Sequence, residues 1–199
     1  MMQKILGNLS QGFVFVLSAP AGTGKTTLVR MLSQEFPCIE ESVSCTTRPP
    51  RPGEVDGRDY HFLSNLKFEE KIRQGDFLEY AEVFGYYYGT SQAYVLNEQK
   101  IGKHVFLIID TQGAMQLKKR GFSAVYIFLS PPSLEELKER LVKRKTESEK
   151  AIEKRLSWAK AELAMLPHYD YHIVNDHLTQ AYAILRSIVI AEEHRVLST

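Results

Sequence analysis

The sequence predicts an α/β fold: a parallel β-sheet core flanked by helices, with an inserted mixed α/β lobe and a helical lid. Three observations carry that prediction. Apolar runs of strand length, Phe13–Leu17, His104–Ile109 and Ala124–Leu129, are each followed by a segment of helical spacing, the alternation of a buried parallel sheet with its crossover helices. The first run enters its helix through Ala19-Pro20-Ala21-Gly22-Thr23-Gly24-Lys25-Thr26, the strand, glycine-rich turn and helix order of a phosphate-binding loop, or P-loop. Between the ends of the chain, residues 41–92 break this rhythm with prolines, aromatics and short strand signals.

Residues 1–11 read as a lead-in. Strand 13–18 and the loop pass into a helix on which Leu28, Val29, Met31 and Leu32 share a face, ending near Pro37. Three prolines within 42–52 exclude a helix there, and Glu54–Leu63 reads as a turn and a short strand. Ser64 caps a helix that runs through Gln74 and stops at Gly75. Short strands fill 76–90, and Ser91 opens a helix that Gly102 ends. His104–Ile109 closes on Asp110, and a helix from about Gly113 to Arg120 stops at Gly121. After the strand Ala124–Leu129, Ser133-Leu134-Glu135-Glu136 is a capping box opening a basic helix to about Arg144. A long amphipathic helix covers Glu149–Leu166 until Pro167. Tyr171–Val174 is the last strand and Leu178–Glu193 the closing helix.

Lys and Arg number 25 against 24 Asp and Glu, a net charge of +1, so global charge points to neither nucleic acid nor a membrane surface. Positive charge gathers instead at Arg48–Arg51 and Lys138–Lys145. No apolar run reaches membrane-spanning length, and Phe13–Leu17 is too short for a secretory signal. Cys38 and Cys45 have no metal or redox spacing and fit a reducing cytosol, so a cytoplasmic location is expected. His168 and His172 stand four apart, but Pro167 ends the helix that would align them as zinc ligands.

The loop carries the chemistry. Its backbone N–H groups and the following helix N-terminus make an anion site, so Ala19, Pro20, Ala21, Gly22, Thr23, Gly24, Lys25, Thr26 and Thr27 are expected to bind the phosphates of a nucleotide. Lys25 would reach the β- and γ-phosphates, and the Thr26 hydroxyl would sit on Mg²⁺. Ala19 stands where G-x-x-x-x-G-K-[ST] has its first glycine. If that position needs a backbone angle that only glycine adopts freely, Ala19 carries strain on the order of 1 kcal/mol. Asp110, closing an apolar strand, occupies a common place for a Mg²⁺-linked or substrate-facing acid.

Several longer stretches then narrow the reading. They are Ser42-Val43-Ser44-Cys45-Thr46-Thr47-Arg48-Pro49-Pro50-Arg51, Gly53-Glu54-Val55-Asp56-Gly57-Arg58-Asp59-Tyr60, Tyr87-Tyr88-Gly89-Thr90 and Asp110-Thr111-Gln112-Gly113. Further on come Arg140-Leu141 with Arg144, and Lys154-Arg155-Leu156. With the loop, these resemble the guanylate kinases nearly end to end. The resemblance implies a single domain with its core at about 12–40, 103–137 and 158–199, a GMP-binding lobe at about 41–92 and a lid at about 138–157. It implies transfer of the γ-phosphoryl of MgATP to GMP, with ATP and GMP as partners.

By that resemblance Arg48, Arg51, Tyr60 and Tyr88 hold the GMP phosphate, and planar guanidinium groups do offer the paired donors a phosphate takes. Glu79 reads the base: a carboxylate accepts from guanine N1–H and the exocyclic amine together, whereas adenine N1 is a bare acceptor. Ser44 and Thr90 take the O6 side, and Asp110 helps at the amine. Arg140, Arg144 and Arg155 match the lid arginines over the ATP phosphates, and Asn175 matches an adenine contact. Three positions depart from the family pattern. Thr90 replaces the usual Ser, Ile108 the first Asp of D-x-D, and Lys145 a frequent Gly. Catalytically inactive modules of this type lose loop and lid residues, which are present here. Asp110–Gly113 also fits the D-x-x-G of regulatory GTPases, but no N-K-x-D motif accompanies it.

Overall fold

The computed structural model describes residues 4–143 and 149–196. Arg144 and Lys145, both placed in the lid by sequence, lie outside the described residues. The elements in chain order are β1 (Val14–Ser18), α1 (Lys25–Glu35), β2 (Ile39–Glu41), β3 (Cys45–Thr46), β4 (His61–Phe62), α2 (Asn65–Gln74), β5 (Phe77–Val83), β6 (Tyr86–Ser91), α3 (Gln92–Lys100), β7 (His104–Ile108), α4 (Thr111–Lys119), β8 (Val125–Ser130), α5 (Leu134–Lys143), α6 (Glu149–Leu163), β9 (Tyr171–Val174) and α7 (Leu178–Glu193).

Continuous burial along β1 follows from its unbroken apolar run. The strand pairs in parallel with β7, Phe15 opposite Phe106, and with β8, Phe15 opposite Val125. The order β2-β7-β1-β8-β9 is parallel throughout, as the strand and helix alternation predicts. Successive side chains of β1 face opposite ways. Phe15 and Leu17 pack with Leu28, Leu32, Leu185 and Val189 of α1 and α7. Val14 and Val16 pack with Val95 of α3 and Ala114 and Leu117 of α4. Each fully buried Val, Leu or Phe among these contributes roughly 1.5–3 kcal/mol.

A second, mixed sheet, with strands falling between Cys45 and Ser91, has the order β4-β3-β6-β5. Its own apolar cluster of Cys45, Phe68 and Phe77 is covered by α2. The strand β5 joins the two bodies: Phe77 packs in the lobe, whereas Leu78 packs in the core beneath the first sheet. A register shift between Phe77 and Glu79 makes both placements possible.

Local signals placed most boundaries. Ser64 and Ser91 cap α2 and α3, accepting from Lys67 and Tyr94 backbone N–H, and Gly75 ends α2 with φ 72°. Three expectations are corrected, and one strand is added to them. Asp110 caps α4, accepting from Gly113 N–H at 2.9 Å, so this helix begins at Thr111 rather than near Gly113. The Ser133 box forms by half: Ser133 Oγ accepts from Glu136 N–H, but the Glu136 carboxylate turns to Arg140. The long helix stops at Leu163, and Pro167 sits inside a separate turn of 3₁₀ helix, Leu166–His168. The edge strand β2 was not foreseen at all, since its three residues Ile39-Glu40-Glu41 lack a pattern of their own.

Candidate active site

The loop lies at the carboxyl end of β1, the central strand, where the chain leaves for β2 on one side and later returns to β8 on the other. This is where open parallel sheets form their binding crevice. Gly22 and Gly24 adopt φ 94° and 97°, which leaves Gly24 at the head of α1 with no side-chain cap. The first N–H groups of α1 are therefore available to an anion. Ala19 is not in the left-handed region, where Phe84 is the non-glycine residue found among those described. The expected strain at Ala19 is absent; the loop needs left-handed angles only at its two later glycines. Lys25 Nζ donates to Ala19 O at 2.6 Å, which folds its charge back over the loop.

A cleft of about 440 Å³ runs from the loop to the inserted lobe. Ala19, Ala21, Lys25 and Thr26 line it from the core, with Asp110 at the end of β7. Ser44, Arg48, Arg51, Tyr60, Glu79 and Tyr88 face it from the lobe, and Arg155 from α6. The side chains expected to hold a phosphate are thus together. Thr46 Oγ1 positions the first of them by accepting from Arg48 N–H at 3.1 Å while donating to Tyr87 O at 2.9 Å. The Arg48 guanidinium lies 5.3 Å from the Tyr60 ring centre, and Tyr60 meets Tyr88 edge to face at 5.9 Å.

Glu79 is 3% exposed and accepts from Thr90 Oγ1 at 2.6 Å. Burial raises its pKa to about 7, with the Thr90 hydrogen bond opposing and the neighbouring Asp110 charge reinforcing. The alternation of β5 points Glu79, Ala81 and Val83 into the cleft. Gly113 explains why Glu79 has room: a Cβ there would stand 2.2 Å from Glu79 Oε2. Asp110 is raised by burial, against the Gly113 N–H it accepts.

Thr90 lies behind Glu79, buried. Asn175 and Arg140 are not among the residues lining the cleft. Asn175 donates its side-chain amide to Thr23 O at 2.7 Å, and its own carbonyl accepts from Arg140 Nη1 at 2.9 Å. The two brace the loop from β9 and α5.

The guanylate kinase family profile matches residues 11–192. The chain belongs to the guanylate kinase family. A guanylate kinase of Protochlamydia amoebophila is 55% identical over 96% of this chain and 96% of its own length. One of Chlamydia muridarum is 50% identical over 92% of this chain and 89% of its own. The crystal structure of guanylate kinase from Anaplasma phagocytophilum superposes with a TM-score of 0.77 at 34% identity, covering 94% of this chain and 88% of that one.

Within this guanylate kinase cleft, several residues escaped the sequence reading. Glu54 grips Arg48 at 2.8 Å and accepts from Arg51 N–H at 2.7 Å, tying both arginines to one turn. Its place three residues after Arg51 was the available signal. Glu162 faces the cleft from α6 and is 6% exposed. Burial raises its pKa to about 7, with Lys25 opposing and Asp110 reinforcing. It sits seven residues after Arg155, two helical turns on, which is the spacing that could have found it. Ser42 lines the cleft with its Oγ buried and, among the described residues, without a hydrogen-bond partner. Among the described residues, no helix is long and apolar enough to cross a membrane.

Proposed function

We propose that the chain transfers the γ-phosphoryl group of ATP to GMP, giving ADP and GDP, in the cytoplasm. One observation carries this reading: a buried carboxylate with a hydroxyl partner, Glu79 and Thr90, opens into the same cleft as an arginine and tyrosine cup and the P-loop lysine. The first pair suits guanine, the cup suits a monophosphate, and Lys25 suits the β- and γ-phosphates of the donor. Transfer is direct and in line, with a GMP phosphate oxygen attacking, so no side chain serves as a covalent nucleophile. Arg48 and Arg155 add positive charge around the transferring group, where phosphoryl transfer gains most. Arg140 joins them through the loop, and Arg144 by family resemblance alone.

The Thr26 hydroxyl and the Asp110 carboxylate are oxygen donors lining one cleft, which fits the hard-donor preference of Mg²⁺. Thr26 would hold the ion, which when bound neutralises phosphate charge. Ile108 also lines the cleft, so the carboxylate usual at that position in the family is missing. In this reading residues 41–92 form the GMP-binding lobe and residues 138–157 the lid, and their closure excludes water. Steady-state assays with MgATP and each of GMP, dGMP, AMP, CMP and UMP test the proposal. Rapid ADP formation with GMP, abolished by a chelator and restored by Mg²⁺, is expected. Hydrolysis of GTP alone, or turnover with AMP equal to that with GMP, would overturn it.

A further inference from the structure

Phe84 sits at the tip of the β5–β6 hairpin with φ 55°. A bulky aromatic side chain holds that backbone region only where its surroundings over-determine it. Here the two-residue turn between Val83 and Tyr86 imposes the angle, with Gly85 at φ 84° beside it, and the ring carried there packs on α6. The Phe84 ring centre is 5.4 Å from that of Trp158, at 50° between planes. Lys154 Nζ and the Arg155 guanidinium lie 5.3 and 5.2 Å from the same ring centre. These are aromatic and cation–π distances. Arg155, Trp158 and Glu162, spaced three and four apart on one helical face, all line the cleft, and Val83 and Phe84 line it from the hairpin. The hairpin is one continuous ladder from Val83–Tyr86 at the tip to Glu79–Thr90 at the buried carboxylate. Residues 84 and 155 therefore connect two bodies that the chain keeps some seventy positions apart.

We propose that Phe84 is a positioning residue that couples the β5–β6 hairpin to Arg155, so that a guanine held at Glu79 sets where the Arg155 guanidinium points. The inference rests on the GMP kinase reading above. A ladder of backbone hydrogen bonds moves as a unit, so a shift at Glu79 is delivered to the tip. At the tip the ring offers Arg155 a flat, negatively polarised face. The turn demands a left-handed angle of whichever residue stands at 84, and Phe84 meets it at a greater cost than Asn or Gly would while adding the ring contact to Arg155.

Trp158 is the only tryptophan in the sequence, so its emission reads the contact directly. Phe84→Asn retains a residue that tolerates φ above zero and removes the ring. For that variant the expected outcome is a KM for ATP and for GMP within about threefold of wild type and a kcat lower by about tenfold or more. GMP alone shifts Trp158 emission in the wild type and not in Phe84→Asn, and Phe84→Tyr restores both the shift and kcat. A Phe84→Asn enzyme with wild-type kcat, or with an unchanged emission response to GMP, would overturn the coupling. Should Phe84→Asn fail to fold, hydrogen exchange of the wild type decides: GMP alone should slow exchange over 149–163, and unchanged exchange overturns the proposal. Absence of GMP phosphorylation by the wild type overturns the kinase reading instead, so the two failures are distinct.

Discussion

The Glu79 carboxylate is almost closed to water, and its pKa is raised to about 7 from the usual range near 4.5. The folded state therefore holds this proton more tightly than the unfolded chain does. The stability it contributes is full below about pH 4.5 and is lost as pH rises through about 7. Guanine needs the opposite state, because only the ionised group accepts twice. In nucleotide-free protein at pH 8, Glu79→Gln should raise the melting temperature, and at pH 4.5 it should not. GMP affinity of the wild type should strengthen from pH 6 to pH 8 relative to that of Glu79→Gln, by about tenfold or more if one bidentate contact is at stake. Calorimetric titration at three pH values reads this, and parallel pH profiles would remove Glu79 from base reading. Gly113 tests the same contact sterically. Alanine should gain about 1 kcal/mol of helix propensity over glycine, but its Cβ would stand 2.2 Å from Glu79 Oε2. The clash wins because Glu79 is buried and bonded to Thr90. Gly113→Ala should raise the KM for GMP about tenfold or more while leaving that for ATP nearly unchanged.

Among the elements, the loop is held from outside itself. Asn175, at the end of β9, donates to Thr23 O and accepts from Arg140. Glycine at 24 is required there, since a Cβ would come within 2.7 Å of Asn175 Nδ2. Replacing Asn175 with Leu leaves a buried carbonyl without its donor, a loss of about 1–3 kcal/mol. The variant should melt several degrees lower and show a raised KM for ATP, while GMP affinity measured alone stays at the wild-type value. A KM for ATP equal to wild type would mean that the loop keeps its shape without this brace.

At the scale of the molecule, Glu193 near the end of α7 gathers the two ends of the chain. It accepts from Gly7 N–H at 2.8 Å, Asn8 N–H at 3.0 Å and the Asn8 amide at 2.7 Å, and it meets His104 Nε2 at 2.6 Å. His104 Nδ1 accepts from Phe13 N–H, which assigns the proton to Nε2 and makes the histidine a donor. Burial alone would raise the Glu193 pKa, but these donors overcome it and hold it at about 2. A depressed carboxylate contributes stability above the unfolded pKa near 4.5, lost as pH falls through about 2. Glu193→Gln cannot satisfy all four donors and should cost about 2–4 kcal/mol at pH 7. Chemical denaturation should also show its stability falling less than that of the wild type between pH 5 and pH 3. Equal acid sensitivity would exclude Glu193 as the acid-labile link.

What the sequence determined by itself is what depends on near neighbours. The strand, turn and helix of the P-loop, the serine caps at Ser64 and Ser91, and the parallel sheet follow from spacings of two to four residues, and these are physical constraints on the backbone. Glu79, Arg48 and Tyr88 were found through motif resemblance, and the fold brings them to one cleft. The tertiary structure decided what depends on distant partners. Ile39–Glu41 is a strand because β7 offers it an edge. Asp110 is a cap as well as a cleft residue, and Ala19 is unstrained because Gly22 and Gly24 absorb the turn. Glu54, Glu162 and Phe84 gain their places from groups that the local pattern does not specify. Burial and long-range contact energies are properties of the assembled chain, so no window of neighbouring residues contains them.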